Sequence, residues 1–291
     1  MALIVYITIA IALLFSSIES AGSLSASLIS RVETALHYSA VSYCLSDPIM
    51  NWNCEVCDNA YVSGTTAYLH DNVASLGIRF WIGVNEGQGR IILGFAGTSS
   101  TEGWITDAEF SKVSYKFPSN KWNGEVLVHK GFYEGYLVVC NTINSYITSL
   151  LKKYPSYTVM VTGHSLGGAM AQLAALNLTL SYNIQPHVVT FEGPRVGDSS
   201  WADMYNYYIR DTPLRTVNQR DIVPHVPPSS DDYYHAVQEI WLQQYDNWTS
   251  DYKLCSATNG EDPDCSDSLY FPTSFHDHCN LMGMNICGCP H

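Results

Sequence analysis

The sequence predicts an α/β fold, in which a central, mostly parallel sheet carries helices on both faces. The chain has 291 residues, of which 46% are hydrophobic, so it can bury a sizeable core and is neither disordered nor collagen-like. Short apolar runs typical of buried strands alternate with longer helical patterns. No repeat or long linker divides the chain, so we expect a leader over 1–20 and a single domain over 21–291.

The first half of the domain contains two helical patterns and a pair of strands. Apolar residues recur at helical spacing from Arg31 to Tyr43 and again around Tyr136 to Leu151. Between these helices, the runs 80–84 and 91–95 flank a glycine-rich turn and predict two strands.

The second half alternates strands with helices. The buried-type run Thr158–Thr162 leads into an Ala/Leu-rich helix that reaches about Leu180. His187–Phe191 and Leu214–Asn218 are further strands, with helical residues between them. This alternation is what predicts the parallel order of the sheet.

The charge balance excludes one class of partner. The chain has 14 Lys+Arg against 27 Asp+Glu and a net charge of −13, and only 14% of its residues are charged. A nucleic-acid binder needs a basic face to neutralise phosphates, so we expect no nucleic-acid partner.

The first residues resemble a secretory signal. Met1 to Ile18 carry no charged side chain, are mostly apolar and precede small residues suited to cleavage. Because no Lys or Arg precedes the apolar stretch, an uncleaved membrane anchor is the alternative. We therefore expect a secreted protein from an oxidising compartment.

The cysteines and two sequons agree with export. Nine cysteines in an exported chain predict structural disulfides. Cys54 and Cys57 have the spacing of a redox or zinc motif, but zinc would require a second matching pair. Asn177 and Asn247 lie in glycosylation sequons.

The segment Gly163-His164-Ser165-Leu166-Gly167 matches the nucleophile-elbow pattern G-x-S-x-G. It lies between a strand-like run and a helical pattern, which is the context that this pattern requires. The glycines allow a tight turn that lifts the serine above the sheet edge, beside a helix N-terminus that favours an oxyanion. We predict Ser165 as the nucleophile; a glycine-rich turn without chemistry is the alternative.

A serine of ordinary pKa needs a base, and the base needs a carboxylate that orients it. In this architecture the acid and then the histidine follow the serine, each at the end of a later strand. Asp221 comes directly after the strand ending at Asn218 and is the predicted acid. Other aspartates suit surface or helix-end positions better: Asp203, Asp211, Asp231 and Asp232.

The downstream histidines leave two candidates for the base. His225 is too close in sequence to Asp221, His235 follows no strand end, and His291 is terminal. His276 and His278 remain, and the residues alone do not separate them. A metal pair formed by these two is a further alternative, although no other ligands cluster nearby.

Taken together, these segments resemble the class 3 lipase family, the secreted lipases typified by those of filamentous fungi. The resemblance covers roughly Arg31 to Cys289 and implies an α/β-hydrolase fold with a short helical lid and disulfides. It rests on the order and spacing of five segments: the region of Cys44, Cys54 and Cys57, Gly94 to Thr98, Val128 to Phe132, Gly163 to Gly168, and Asp221 to Pro228.

The resemblance also implies which histidine is the base. In the family the catalytic histidine follows an aspartate, as His278 follows Asp277, which makes His276 a bystander. The chain departs from the family's usual aromatic or aliphatic residues at three nearby positions: Cys279, Asn280 and Met282.

An oxyanion hole and a lid follow from the same resemblance. Thr98 matches the family position that donates a backbone N–H and a hydroxyl, and Leu166 would give the second backbone N–H. Trp104 and Ile105 lie in the segment that corresponds to the lid. The alternatives are an ordinary strand-end residue for Thr98 and a core residue of an immobile helix for Trp104.

The family pattern suggests three disulfides. They are Cys54–Cys57, Cys255–Cys265 and a pair between Cys44 and a cysteine near the C-terminus, where the spacing from His278 favours Cys289 over Cys287. Three cysteines then remain, so at least one free thiol is expected. Cys140 lies in a helical pattern and is most simply a buried apolar residue.

The expected function is hydrolysis of acylglycerol esters by a triacylglycerol lipase, with lipid at an oil–water or membrane interface as the partner. No metal, organic cofactor or obligate protein partner is implied. A phospholipase A1, a partial-glyceride lipase or a feruloyl-type esterase on the same scaffold is the nearest alternative. A secreted binding protein that kept the fold without activity is a more distant one.

Overall fold

The computed structural model describes residues 23–98, 103, 109–116, 122–244 and 247–289. The predicted leader and the predicted lid residues Trp104 and Ile105 lie outside these ranges. None of the helices in the described ranges has the length and apolar character needed to cross a bilayer.

The core of the molecule is a twisted sheet that, in the described chain, has eight strands in the order β1-β2-β3-β6-β7-β8-β9-β10. Five adjacent strands from β3 to β9 run parallel, and antiparallel strands flank them on both sides. The predicted, mostly parallel sheet is thus confirmed. The sheet strands are β1 Thr65–Val73, β2 Ile78–Asn85, β3 Arg90–Phe95, β6 Thr158–His164, β7 His187–Phe191, β8 Leu214–Asn218, β9 Gln238–Leu242 and β10 Tyr252–Leu254.

Two short hairpin-like strand pairs, six α-helices and six short 3-10 helices complete the described elements. The short pairs are β4 Lys112–Ser114 with β5 Leu127–His129, and β11 Asn280–Leu281 with β12 Met284–Asn285. The helices are α1 Ala26–Val41, α2 Ser46–Met50, α3 Lys130–Lys153, α4 Leu166–Tyr182, α5 Ser199–Tyr208 and α6 Phe275–Cys279.

Helices cover both faces of the sheet because successive side chains of a strand point to opposite faces. On β3, Ile91 and Leu93 belong to the core formed with α3 and α4. Ile92, between them, belongs to the second core, formed with α1. Two separate apolar cores thus lie on opposite faces of the parallel strands, whose carboxyl ends lead to the predicted catalytic residues.

Four disulfides link loops around this core. They are Cys44–Cys289, Cys54–Cys57, Cys255–Cys265 and Cys279–Cys287. The first three are the pairs that the family resemblance implied, and the fourth joins two cysteines that the sequence left unassigned. Cys140 keeps a free thiol, buried in α3.

One predicted glycosylation site does not fit the fold. Asn177 lies within α4 with only 1% of its surface exposed. Its amide nitrogen donates to Tyr136 and Asn144 in the core, so no glycan can be attached there without breaking that packing. A sequon is defined by three neighbouring residues and does not depend on burial, so the sequence could not show that Asn177 is inaccessible. Asn247, in contrast, is exposed.

Candidate active site

Ser165 occupies a sharp turn between β6 and α4. Its backbone has φ 58° and ψ −131°, a conformation that non-glycine residues rarely adopt. The turn is held by the Ser165 N–H, which donates to Phe191 O at 2.9 Å on the neighbouring strand β7. The sequence pattern therefore produces the strained elbow that places the serine at the N-terminus of a helix.

The glycines of the elbow are required by close backbone contacts. A Cβ atom on Gly163 would lie 2.2 Å from Gly167 O, and one on Gly167 would lie 2.5 Å from Phe95 O. A Cβ atom on Gly97 would lie 2.8 Å from Ser165 Cβ. The loop after β3 therefore packs directly against the serine.

Asp221 and His278 form a buried pair at the same edge of the sheet. His278 Nδ1–H donates to Asp221 Oδ2 at 2.8 Å, and the Val223 N–H donates to Asp221 Oδ1 at 2.9 Å. The aspartate is 0% exposed and the histidine 1%. Burial lowers the pKa of His278 to about 3, so the ring is neutral near pH 7 and can accept a proton.

The structure separates the two histidines that the sequence left open. The His276 side chain is 70% exposed and contacts Asp277, away from the buried pair. His225 contacts the backbone carbonyls of Asp221 and Ser266, and His235 contacts that of Pro224. Of the downstream histidines that the structure describes, only His278 bonds the side chain of Asp221.

The segment that carries His278 is tied to the end of β8. Asn218 Nδ2 donates to Asp277 O at 2.8 Å and to Asn280 O at 2.7 Å. The Arg220 N–H donates to Asp277 Oδ2 at 3.0 Å. Three contacts thus clamp α6 onto the loop that carries Asp221.

His164, the residue before the serine, connects the elbow to the base. Its Nδ1 lies 2.6 Å from Tyr43 Oη and its Nε2 lies 2.8 Å from His278 O. The rings of His164 and His278 are 4.5 Å apart between centroids. Burial lowers the pKa of His164 well below its usual range, so this ring stays neutral and positions its neighbour.

Two atoms of the predicted triad are buried without a hydrogen-bond partner among the described residues. Within the described residues, neither Ser165 Oγ nor His278 Nε2 makes a hydrogen bond, although both are buried. In free enzymes this contact is often long and tightens when substrate binds. The arrangement brings together serine, histidine and carboxylate in the order needed for nucleophilic catalysis.

The predicted oxyanion donors lie on either side of the serine. Leu166 is the first residue of α4, so its backbone N–H belongs to the unpaired N-terminal group of the helix. Thr98 is half-buried and follows Gly97, where an added Cβ atom would lie 2.8 Å from Ser165 Cβ. The positions suit donors for a negative oxygen formed at Ser165.

Sequence reasoning missed two residues of this site, Tyr43 and Glu192. Tyr43 is 6% exposed and bonds His164, while Glu192 is fully buried beside Asp221. A usable signal existed for Glu192, an acidic residue directly after a buried strand. No local pattern marks Tyr43, because its partner lies 121 residues away.

The described residues offer no suitable metal centre. Two groups bring three ligand atoms within 4.8 Å of one another, one around His164, His278 and Cys287 and one around Glu239, Cys255 and Cys265. Every cysteine in them is in a disulfide, so none supplies a thiolate.

Comparison with known proteins gives consistent matches. The family model for Lipase (class 3) matches residues 92–231. The lipase of Rhizomucor miehei is 36% identical over 265 residues, which are 86% of this chain and 68% of that protein. Secreted mono- and diacylglycerol lipase A of Penicillium camembertii is 27% identical over 201 residues, which are 68% of this chain and 64% of that protein.

A solved structure is similar over nearly the whole chain. It is a triacylglycerol lipase whose catalytic centre is described as a serine protease triad. The TM-score is 0.81 at 31% sequence identity, and the match covers 92% of this chain and 99% of that one.

Proposed function

The chain belongs to the class 3 lipase family, and from that premise we propose that it is a triacylglycerol lipase acting through an acyl-enzyme on Ser165. The observation that carries the proposal is the buried pair of Asp221 and His278, 2.8 Å apart beside the elbow serine. A neutral imidazole held by a carboxylate is what a serine needs as its base.

The reaction proceeds in two acyl transfers. His278 takes the proton of Ser165 as the serine oxygen attacks the ester carbonyl, and Asp221 stabilises the imidazolium. The backbone N–H groups of Leu166 and Thr98, with the Thr98 hydroxyl, stabilise the oxyanion. His278 then protonates the leaving alcohol. Water, deprotonated by the same histidine, releases the fatty acid from the acyl-enzyme.

Export in an oxidising compartment fits this activity. Four disulfides form in the described chain, and such bonds are rare in reducing cytosol. Residues 1–20 serve as the signal peptide, and Asn247 is exposed for glycosylation.

The test is the rate of fatty-acid release from a triacylglycerol as its concentration is raised through its solubility limit. Ser165→Ala is measured beside the wild type, with the exposed Ser27→Ala as a matched control. We expect Ser165→Ala to lose activity by at least about 10³-fold, since the nucleophile is gone, and Ser27→Ala to keep it. A steep rise on emulsification would indicate interfacial activation.

Parallel assays with a diacylglycerol and with phosphatidylcholine decide the substrate class. Faster Ser165-dependent release from phosphatidylcholine would make the protein a phospholipase, and preference for diacylglycerol would make it a partial-glyceride lipase. If no ester is hydrolysed in a Ser165-dependent way, the proposed function is wrong.

A further inference from the structure

Glu192 is a buried acidic residue that the reaction described above does not use. It directly follows β7, on the same sheet edge as the elbow, and 0% of its surface is exposed. Its φ of 50° lies in the left-handed region, and its N–H donates to Thr216 O at 3.2 Å. Burial and the uncommon backbone conformation of Glu192 both lower the stability of the fold, which a glutamate on the surface would not do.

Its hydrogen bonds to β8 do not offset the burial of a negative charge. The Asn218 N–H donates to Glu192 Oε2 at 2.8 Å, and the Thr216 hydroxyl donates to Oε1 at 3.3 Å. Among the ion pairs of the described residues, none includes Glu192. Two neutral donors are a weak substitute for a cation in a dry environment, so the carboxyl group is better accommodated without charge.

The remaining partner of Glu192 is another acid, Asp221, to which its side chain is hydrogen-bonded. Two carboxyl groups share a hydrogen bond only when one of them keeps its proton. Burial and then the charge of Asp221 raise the pKa of Glu192 well above its usual range. Burial raises the pKa of Asp221 as well, and the hydrogen bond with Glu192 offsets only part of that rise. The donors decide where the proton lies: both oxygens of Asp221 accept from close N–H groups, at 2.9 and 2.8 Å, whereas one of the two donors to Glu192 is 3.3 Å away. We therefore place the charge on Asp221 and the proton on Glu192.

Building on the proposed function, we propose that Glu192 is a positioning residue of the catalytic triad, a neutral carboxylic acid whose O–H donates to Asp221. The aspartate then receives three donors, from Val223, His278 and Glu192, which fix both of its oxygens. The carboxylate is held in the orientation that His278 requires, and no second negative charge is added beside it.

Other titratable groups on the elements around Glu192 leave this assignment intact. They are His164 on β6, Arg215 on β8, and Asp277 and His278 on α6. Arg215 is already paired with Glu239 at 2.6 Å, and the Asp277 carboxylate accepts from the Arg220 N–H. His164 and His278 are neutral because burial lowers their pKa values.

The first test compares Glu192→Gln with Glu192→Leu on a soluble short-chain ester. An amide nitrogen can donate to Asp221 while its oxygen accepts from Asn218, so Gln should keep kcat within about threefold of the wild type. Leu fills the same space without a donor, so kcat should fall about 10–100-fold with KM little changed. Thermal unfolding identifies variants that fail to fold.

The outcomes of this test separate the alternatives. Wild-type kcat in a folded Glu192→Leu would reduce Glu192 to a space-filling role and overturn the proposal. A folded Glu192→Gln that loses as much kcat as Glu192→Leu would show that the ionised form is needed, which also overturns it. An effect on KM alone would place Glu192 in substrate binding instead.

The second test needs no catalysis and so stands apart from the proposed function. The infrared spectrum at neutral pH should contain the carbonyl band of an un-ionised carboxylic acid, and Glu192→Gln should remove it. Glu239→Gln is the matched control, since this buried glutamate is paired with Arg215 and its replacement should leave the band intact. If the wild type lacks the band, Glu192 is not the protonated partner. Loss of Ser165-dependent hydrolysis with the band present would instead refute only the lipase activity.

Discussion

At the scale of single residues, the orientation of His278 depends on one carboxylate. Asp221→Asn keeps the size of the side chain but presents an amide to His278 Nδ1, which favours the wrong tautomer for a base. We expect kcat to fall about 10³–10⁴-fold with the fold preserved. The measurement is steady-state hydrolysis of a soluble ester, with circular dichroism to verify folding.

His276→Gln is the control for this substitution, because the side chain of that histidine points to solvent. It should leave kcat unchanged. A loss of activity in His276→Gln comparable to that in Asp221→Asn would mean that the base is misassigned.

The residues of the site could be predicted to different degrees. Ser165 and Asp221 follow from the sequence because each lies at a strand end with its own local context. The assignment of His278 as the base required the family resemblance, because His276 and His278 have similar neighbours in the sequence. Only the tertiary structure shows that His278 points inward and His276 to solvent. Glu192 was not predicted, because its proposed role depends on Asp221, which lies in the loop after a neighbouring strand.

At the scale of elements, the elbow depends on the contact between β3 and α4. In Gly167→Ala the new Cβ would lie 2.5 Å from Phe95 O and 2.8 Å from Ala96 O. The backbone of β3 must move, so we expect the free energy of unfolding to fall by about 1–3 kcal/mol or more. Activity should fall too, because Thr98 follows the displaced segment.

Chemical denaturation and ester hydrolysis measure both effects. Gly87→Ala serves as the control, since its Cβ would lie 3.5 Å from Asn85 Oδ1, an ordinary contact. If Gly167→Ala were as stable and active as Gly87→Ala, the close approach of the two backbones would not be needed for the elbow.

Elements differed in how well the sequence predicted them. Strands β7 and β8 have the predicted bounds, and nine of their ten residues are buried, as expected for inner parallel strands. The outer strands β1, β9 and β10 were not predicted. Only one residue of β1 is fully buried, so polar side chains interrupt its pattern. Helix α1 begins at Ala26, earlier than the periodicity suggested, because Ser25 caps it by accepting from the Leu28 N–H.

At the scale of the whole molecule, buried histidines should make the fold sensitive to acid. Burial lowers the pKa of seven histidines: His70, His129, His164, His187, His225, His235 and His278. Below pH 6.5, the ordinary pKa of histidine, these side chains are protonated in the unfolded chain but stay neutral in the folded protein. Their contribution to stability is therefore complete above pH 6.5 and is lost as the pH falls toward about 4, the pKa of His129.

Buried carboxyl groups with raised pKa values act in the opposite direction but are fewer: they are Asp198 and the hydrogen-bonded pair of Glu192 and Asp221, which shares one proton. For each proton that the unfolded chain binds in excess of the folded protein, the free energy of unfolding falls by about 1.4 kcal/mol as the pH is lowered by one unit. We expect urea denaturation to give a free energy of unfolding a few kcal/mol lower at pH 5 than at pH 7. Equal values at the two pH values would contradict the burial of neutral histidines.

The Cys44–Cys289 disulfide also affects how the molecule responds to proteolysis. It closes a covalent ring that spans 245 residues and includes the serine, the aspartate and the histidine of the site. A single cut anywhere in that ring linearises it without releasing a fragment, so the nicked enzyme would migrate as one band until a reductant is added. One cut by a protease would therefore leave Ser165, Asp221 and His278 covalently tethered to one another.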